Sequence, residues 1–115
     1  MSRQAMTAPD IDKAVDMAER LFVDAGQAKI RAESMDMRRK RVRAALFIKH
    51  RATVKSAAEA EALAEADPAY ELACQDWEAA AFEAETLRAQ AEAKRMKFEA
   101  WRTAAATERA AMNLR

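Results

Sequence analysis

The chain has 115 residues, with one glycine, two prolines, one cysteine and a formal net charge of +1. Its 31 alanines argue for an almost wholly helical protein, because Ala is the best helix former while Gly and Pro break helices. One cysteine excludes an internal disulfide, and no apolar run approaches the ~20 residues needed to span a bilayer.

Residues 1–8 are short and polar and are expected to be disordered, as chain ends usually are. They lack an apolar core, so no signal peptide is expected, and the reading is of a soluble, cytoplasmic protein. Residues 9–115 read as one helical domain. Thr7 or Asp10 suits a helix cap, with Pro9 in the first turn. Ile11, Val15, Ala18, Leu21, Phe22 and Ala25 then recur at helical spacing. Gly26 either ends this helix, leaving a separate N-terminal helix, or sits inside a continuous one at a cost of about 1 kcal/mol relative to Ala.

From Gln27 to Ala66 the helical pattern resumes. One stripe runs Ala28, Met35, Val42, then Lys49, Ser56, Leu63, and a second runs Ala32, Arg39, Leu46, Thr53, Ala60, both less clean than the pattern after Pro68. Thr53 and Val54 are mediocre helix residues but not breakers. Asp67-Pro68 is the clear punctuation, an N-cap followed by a residue suited to the first helical position. A connection this short sets the two helices antiparallel.

Pro68 to Arg115 carries the strongest pattern. Every seventh residue is apolar: Tyr70, Trp77, Ala84, Ala91, Phe98, Ala105 and Met112. The next position is Glu71, Glu78, Glu85, Glu92 and Glu99, and the position four beyond the seam becomes Arg88, Arg95, Arg102 and Arg109. A strict heptad without Gly or Pro predicts one helix of roughly 70 Å packed as a coiled coil. The expected fold is all-α, a long antiparallel hairpin bent near 67–68. That bend would put Trp77 opposite Ala57 and Ala58, Leu87 near Ile48, Phe98 near Met35 and Met37, and Met112 near Phe22 and Val23.

Charge comes in blocks. Lys29 to Lys55 holds ten bases and two acids, Ser56 to Ala93 ten acids and one base, and Lys94 to Arg115 six bases and two acids. Opposed blocks favour defined helix pairing and a defined binding face. Arg38, Arg39, Lys40, Arg41, Arg43, Lys49, Arg51 and Lys55 are the candidates for neutralising phosphates, extended by Arg95, Arg102 and Arg109. The same charges are equally those of a helix face that meets acids of this or another chain. A membrane surface is the weaker fit, since the apolar stretch around Phe47 and Ile48 is short.

Tyr70, Trp77, Leu87, Phe98, Trp101 and Met112 are the candidate interface residues. Trp residues in such a pattern are core residues or interface anchors. Leu72, Phe82, Met96 and Leu114 lie beyond the seam, a surplus of apolar surface that points to self-association or a protein partner. Nothing points to catalysis. His50 is the only histidine and has cationic neighbours, and Cys74 has no base and orienting group to activate it. No phosphate-binding loop and no metal-spaced cluster occurs, so no cofactor, metal or small-molecule substrate is expected.

Residues 87–115, with Phe98, Trp101 and Arg102 in FEAWR followed by Arg109 and Met112, resemble the tail of small helical proteins encoded by phages and prophages. The resemblance covers about a quarter of the chain; such proteins are often of unknown function and often encoded near DNA-recombination genes, which implies a nucleic-acid accessory role without giving any residue a function. Two functions remain open. One is a non-enzymatic accessory protein that binds nucleic acid through a basic helical face or supports a DNA-processing partner. The other is a structural or adaptor coiled coil that oligomerises or docks on a protein, an inhibitor included.

Overall fold

The computed structural model describes residues 8–114. The disorder expected over residues 1–8 concerns, apart from Ala8, residues outside this range, as does Thr7. Three helices make the fold: α1 (Ala8–Arg51), α2 (Ala57–Ala66) and α3 (Pro68–Asn113). No strand occurs among the described residues. The fold is all-α, a helical hairpin of α1 and α3 with α2 inserted where the chain turns back.

α1 runs unbroken for 44 residues through Gly26, so there is no separate N-terminal helix. Gly26 has no positive φ, and a Cβ added there would meet nothing within 4 Å. The glycine therefore costs helix propensity and serves no turn.

The expected continuous helix from Gln27 to Ala66 is corrected: α1 stops at Arg51. The Thr53 and Val54 backbone N–H groups both donate to the His50 carbonyl, at 3.0 and 3.1 Å, and the Thr53 hydroxyl donates to the same oxygen at 3.0 Å. Arg51 Nη1 reaches forward to the Val54 carbonyl at 2.7 Å. Ser56 then restarts the helix. Its φ of −104° and ψ of 134° are extended, and its hydroxyl accepts from the Glu59 N–H at 3.4 Å. Ser56 and Glu59 are the residues of an S-x-x-E capping box. Two β-branched residues followed by this cap end one helix and start another.

Asp67 behaves as its sequence position predicts. Its N–H bonds back to Ala64, closing α2, while its Oδ1 accepts from the Ala69 N–H at 2.9 Å, opening α3 at Pro68. The hairpin thus has two connections, 52–56 and 67, and the extra one displaces the pairing register. Trp77 meets Arg39 rather than Ala57 and Ala58. Phe98 shares a cleft with Val15, Ala18 and Phe22 rather than with Met35 and Met37. Ile48 is exposed, and Met112 is exposed rather than covered by Phe22 and Val23.

Packing divides the chain into two units. One contains α1 up to Ala25 with α3 from Thr86; the other is Gly26–Glu85. Within each, α1 and α3 run antiparallel, since Arg31 pairs with Glu83 and Arg39 with Trp77 in the second, and Met17 lines a cleft with Lys97 in the first. The buried apolar side chains of the described residues are all alanines: Ala25, Ala28, Ala32, Ala60, Ala64, Ala73 and Ala91. Among the described residues no large side chain is fully buried.

Two substitutions test the helix boundaries with opposite signs. Gly26→Ala is expected to stabilise the chain by about 0.5–1 kcal/mol, as it restores propensity without a clash. Ser56→Ala is expected to destabilise it by about 1 kcal/mol through loss of the cap. Urea unfolding followed by circular dichroism measures both.

Candidate interaction surface

Counting in sevens, Ala25, Ala32, Arg39 and Leu46 share one stripe of α1, with Ala28, Met35 and Val42 beside it. All of these are buried or half-buried. Arg39 therefore occupies a seam position. Its Nε and Nη2 both donate to Asp36 Oδ1, its Nη1 donates to the Tyr70 hydroxyl at 3.5 Å, and its Cζ lies 4.5 Å from the Trp77 ring centroid. The Asp36 carboxyl is held below its ordinary range chiefly by this Arg39 hydrogen bond, with Lys40 adding to it. Arg39 is in turn held more firmly charged by Asp36 and then Tyr70. Of the sequence-predicted phosphate ligands, Arg39 faces the partner helix and not an open surface.

The other members of the basic block divide. Arg43 Nη2 pairs with Glu65 of α2 at 2.8 Å, and Lys40 reaches Asp36 at 3.4 Å. Arg38, Arg41, Lys49, Arg51 and Lys55 are exposed, and Arg38 and Arg41 make no ion pair among the described residues. Met37, Ala44 and Ile48 lie between them, so the outside of the last turns of α1 is a basic surface with an apolar middle.

The C-terminal candidates lie in the other unit. Arg95 pairs with Glu92 and Glu99 on its own helix, at 3.0 and 3.6 Å. Arg102 sits over the Phe98 ring at 6.0 Å, and the Phe98 and Trp101 rings lie 6.1 Å apart. Arg102 and Arg109 border a shallow concavity along α3, and Lys94, Lys97, Phe98 and Trp101 border a cleft of about 260 Å³ with Ala14 and Met17.

Tyr70, Trp77, Leu87, Phe98 and Trp101, taken from the sequence as interface residues, are half-buried on the side of α3 that meets α1. They belong to the contact within the chain, while Met112 is exposed. Exposed large apolar side chains lie on the opposite faces. Leu72 follows the seam residue Tyr70 by two positions, and Met37 precedes Arg39 by two, a rotation of roughly 160° around the helix. On α1 this outer stripe carries Val23, Ile30, Met37 and Ala44 in sevens, then Ile48. On α3 the equivalent three- and four-residue steps from Leu72 to Thr103 meet no charged residue, in a chain of which 34% is charged. Ile30 is 66% exposed, Met37 51%, Ile48 71%, Leu72 59% and Phe82 75%.

His50 Nε2 lies 3.4 Å from Asp67 Oδ2, so the histidine ties the end of α1 to the start of α3. Cys74 is half-buried. Among the described residues no group of His, Cys, Asp or Glu is placed to hold a metal ion, and no helix is long and apolar enough to cross a membrane. No protein-family model, curated protein or solved structure matches this chain.

Asp36 and Asp67 set the acid response. The Ala69 N–H, followed by His50, holds the Asp67 carboxyl below its ordinary value of 3.8. A carboxyl depressed in the folded chain stabilises it fully above that ordinary value and loses the contribution as pH falls through the lower folded value. Thermal stability is expected to drop as pH goes below about 4. Asp67→Asn should make that drop shallower in melts recorded across the acid range.

Proposed function

We propose that this protein is a non-enzymatic helical scaffold that works by pairing the outer faces of its helices with other helices. The observation that carries the reading is the pair of apolar stripes on the outsides of α1 and α3. Ile30, Met37, Ile48, Leu72 and Phe82 are all more than half exposed, while the buried side chains are alanines alone. An outer stripe in which exposed large apolar side chains recur at three- and four-residue steps marks a contact surface. Its heptad spacing suits another helix, since knobs from a partner enter holes at that repeat. A surface built this way has no chemistry to perform; it positions partners.

A second reading is favoured by one observation, the exposure of Arg38, Arg41, Lys49 and Arg51 on α1 and of Lys55 in the connection that follows it. These cations suit a phosphate backbone, and the resemblance of the C-terminal tail to phage-encoded helical proteins supports a nucleic-acid accessory role in a bacterial cytoplasm. The ion pairs of Arg39, Arg43 and Arg95 reduce the charge left for that use.

Fluorescence anisotropy with labelled single- and double-stranded DNA at two salt concentrations separates the readings. Helix pairing expects no binding at physiological salt. Binding that steepens as salt falls, and that disappears in Arg38→Glu/Arg41→Glu, would replace it with the nucleic-acid reading. Arg39 stays intact in this variant, because reversing it would disturb the seam with Tyr70 and Trp77 and mimic a lost binding site.

A further inference from the structure

The two outer faces of the Gly26–Glu85 unit are complementary to each other. The α1 face offers Ile30, Met37 and Ile48 flanked by Arg38 and Arg41, and the α3 face offers Leu72 and Phe82 flanked by Glu71, Asp76 and Glu78. Among the described residues none of those three acids, and neither of those two arginines, makes an ion pair. From Pro68 to Glu85, α3 carries five acids and no base, whereas α1 from Lys29 to Arg51 carries nine bases and two acids. Within the chain Arg31 with Glu83 and Arg43 with Glu65 draw on this opposition, while the rest of the seam between α1 and α3 is lined by alanine and by Arg39 with its own Asp36, which leaves the outer-face charges unused.

We propose that the occupant of the α3 outer face is the α1 outer face of a second copy of this chain. The proposal rests on the helix-pairing reading and names its partner. Apolar residues at matching heptad spacing supply the contact, and the opposite flanking charges orient it. Two copies of α3 meeting face to face would set Glu71, Glu78 and Asp76 beside acids, and two copies of α1 would set Arg38 and Arg41 beside bases, so like-with-like pairing is opposed. A copy displaced without rotation places its α1 antiparallel to the first copy's α3, the relation these helices already have within the chain. The contact is heterologous: each copy uses one face and leaves the other open, so association continues beyond two chains or closes into a ring.

Sedimentation equilibrium on the full chain, with two variants, tests this. Met37→Glu/Ile48→Glu places acids on the α1 face opposite the acidic α3 face. Leu72→Lys/Phe82→Lys places bases on the α3 face opposite the basic α1 face. All four positions are solvent-exposed, and circular dichroism checks that helix content is kept. The wild type is expected to rise in average mass past two chains as concentration increases. Each variant alone should remain a single chain over a range in which the wild type at least doubles, and an equimolar mixture should recover association, because one variant keeps the α3 face and the other the α1 face. A variant that still forms a closed dimer would overturn the head-to-tail contact in favour of like faces. A wild type that stays monomeric would overturn the second-copy assignment while leaving the pairing reading for a different helical partner. Assembly unaffected by either variant would overturn both.

Discussion

The close approach of α1 and α3 depends on alanine. Ala25, Ala28, Ala32, Ala73 and Ala91 keep the seam narrow, and the helix axes come together where larger side chains would hold them apart. The same residue raises helix propensity along both long helices. The cost is burial: a methyl group removes little surface from water, on the order of 1 kcal/mol for each alanine covered. A hairpin made this way holds its backbone in place but has no large buried anchor. Trp77, Phe98 and Trp101 are consequently only half-covered, at the edges of the seam, and much of the remaining large apolar surface faces outward.

Arg39 answers a problem that an alanine seam creates. Small side chains make every register nearly equivalent, because one methyl group packs much like another. A guanidinium in the stripe removes that equivalence. It needs an acceptor and a flat partner, and it finds Asp36 on its own helix and Tyr70 and Trp77 across the seam. Sliding α3 by one heptad would put Ala84 where the indole now lies, and the charge would lose its ring. Polar groups at seam positions act in the same way in other coiled coils, specifying register at some cost in stability. Here the side chain keeps 24% of its exposure, so the desolvation cost is moderated.

Much of the fold was legible because α3 repeats without interruption and Asp67-Pro68 announces its start. The register was not, and one helix cap explains why. Weighed singly, Thr53 and Val54 only weaken a helix; the decisive signal was Ser56 with Glu59 three positions on, which restarts one. Once α1 ends at Arg51 instead of Ala66, every partner across the hairpin shifts. The candidate site suffered from a related omission. Arg39 already stood in the stripe Ala32, Arg39, Leu46, so its phase placed it in the seam, yet counting charges by block grouped it with Arg38 and Arg41. Heptad phase also distinguishes Tyr70 and Trp77, which face α1, from Leu72, which does not. Charge density and hydrophobicity along a chain carry no direction; only the phase on the helix tells which way a side chain faces.

The balance of charge bears on what those outward faces meet. A chain committed to a polyanion concentrates one sign of charge, and its net charge departs from zero. This chain carries 20 bases against 19 acids. The two signs are separated along it, with the basic residues late in α1 and the acidic ones in α2 and early α3. Neutrality reached by separation differs from neutrality reached by mixing. Mixed charges cancel locally and leave a face indifferent to its partner, whereas separated blocks leave two faces that each demand the opposite sign. When both faces belong to one molecule, a partner that supplies both demands in equal measure is another copy of it. The pairing of Arg43 with Glu65 and of Arg31 with Glu83 shows the chain already uses this opposition internally where geometry allows. Arg38, Arg41, Glu71 and Glu78 are exposed and make no ion pair among the described residues, and they are the charges that the proposed contact between copies would use.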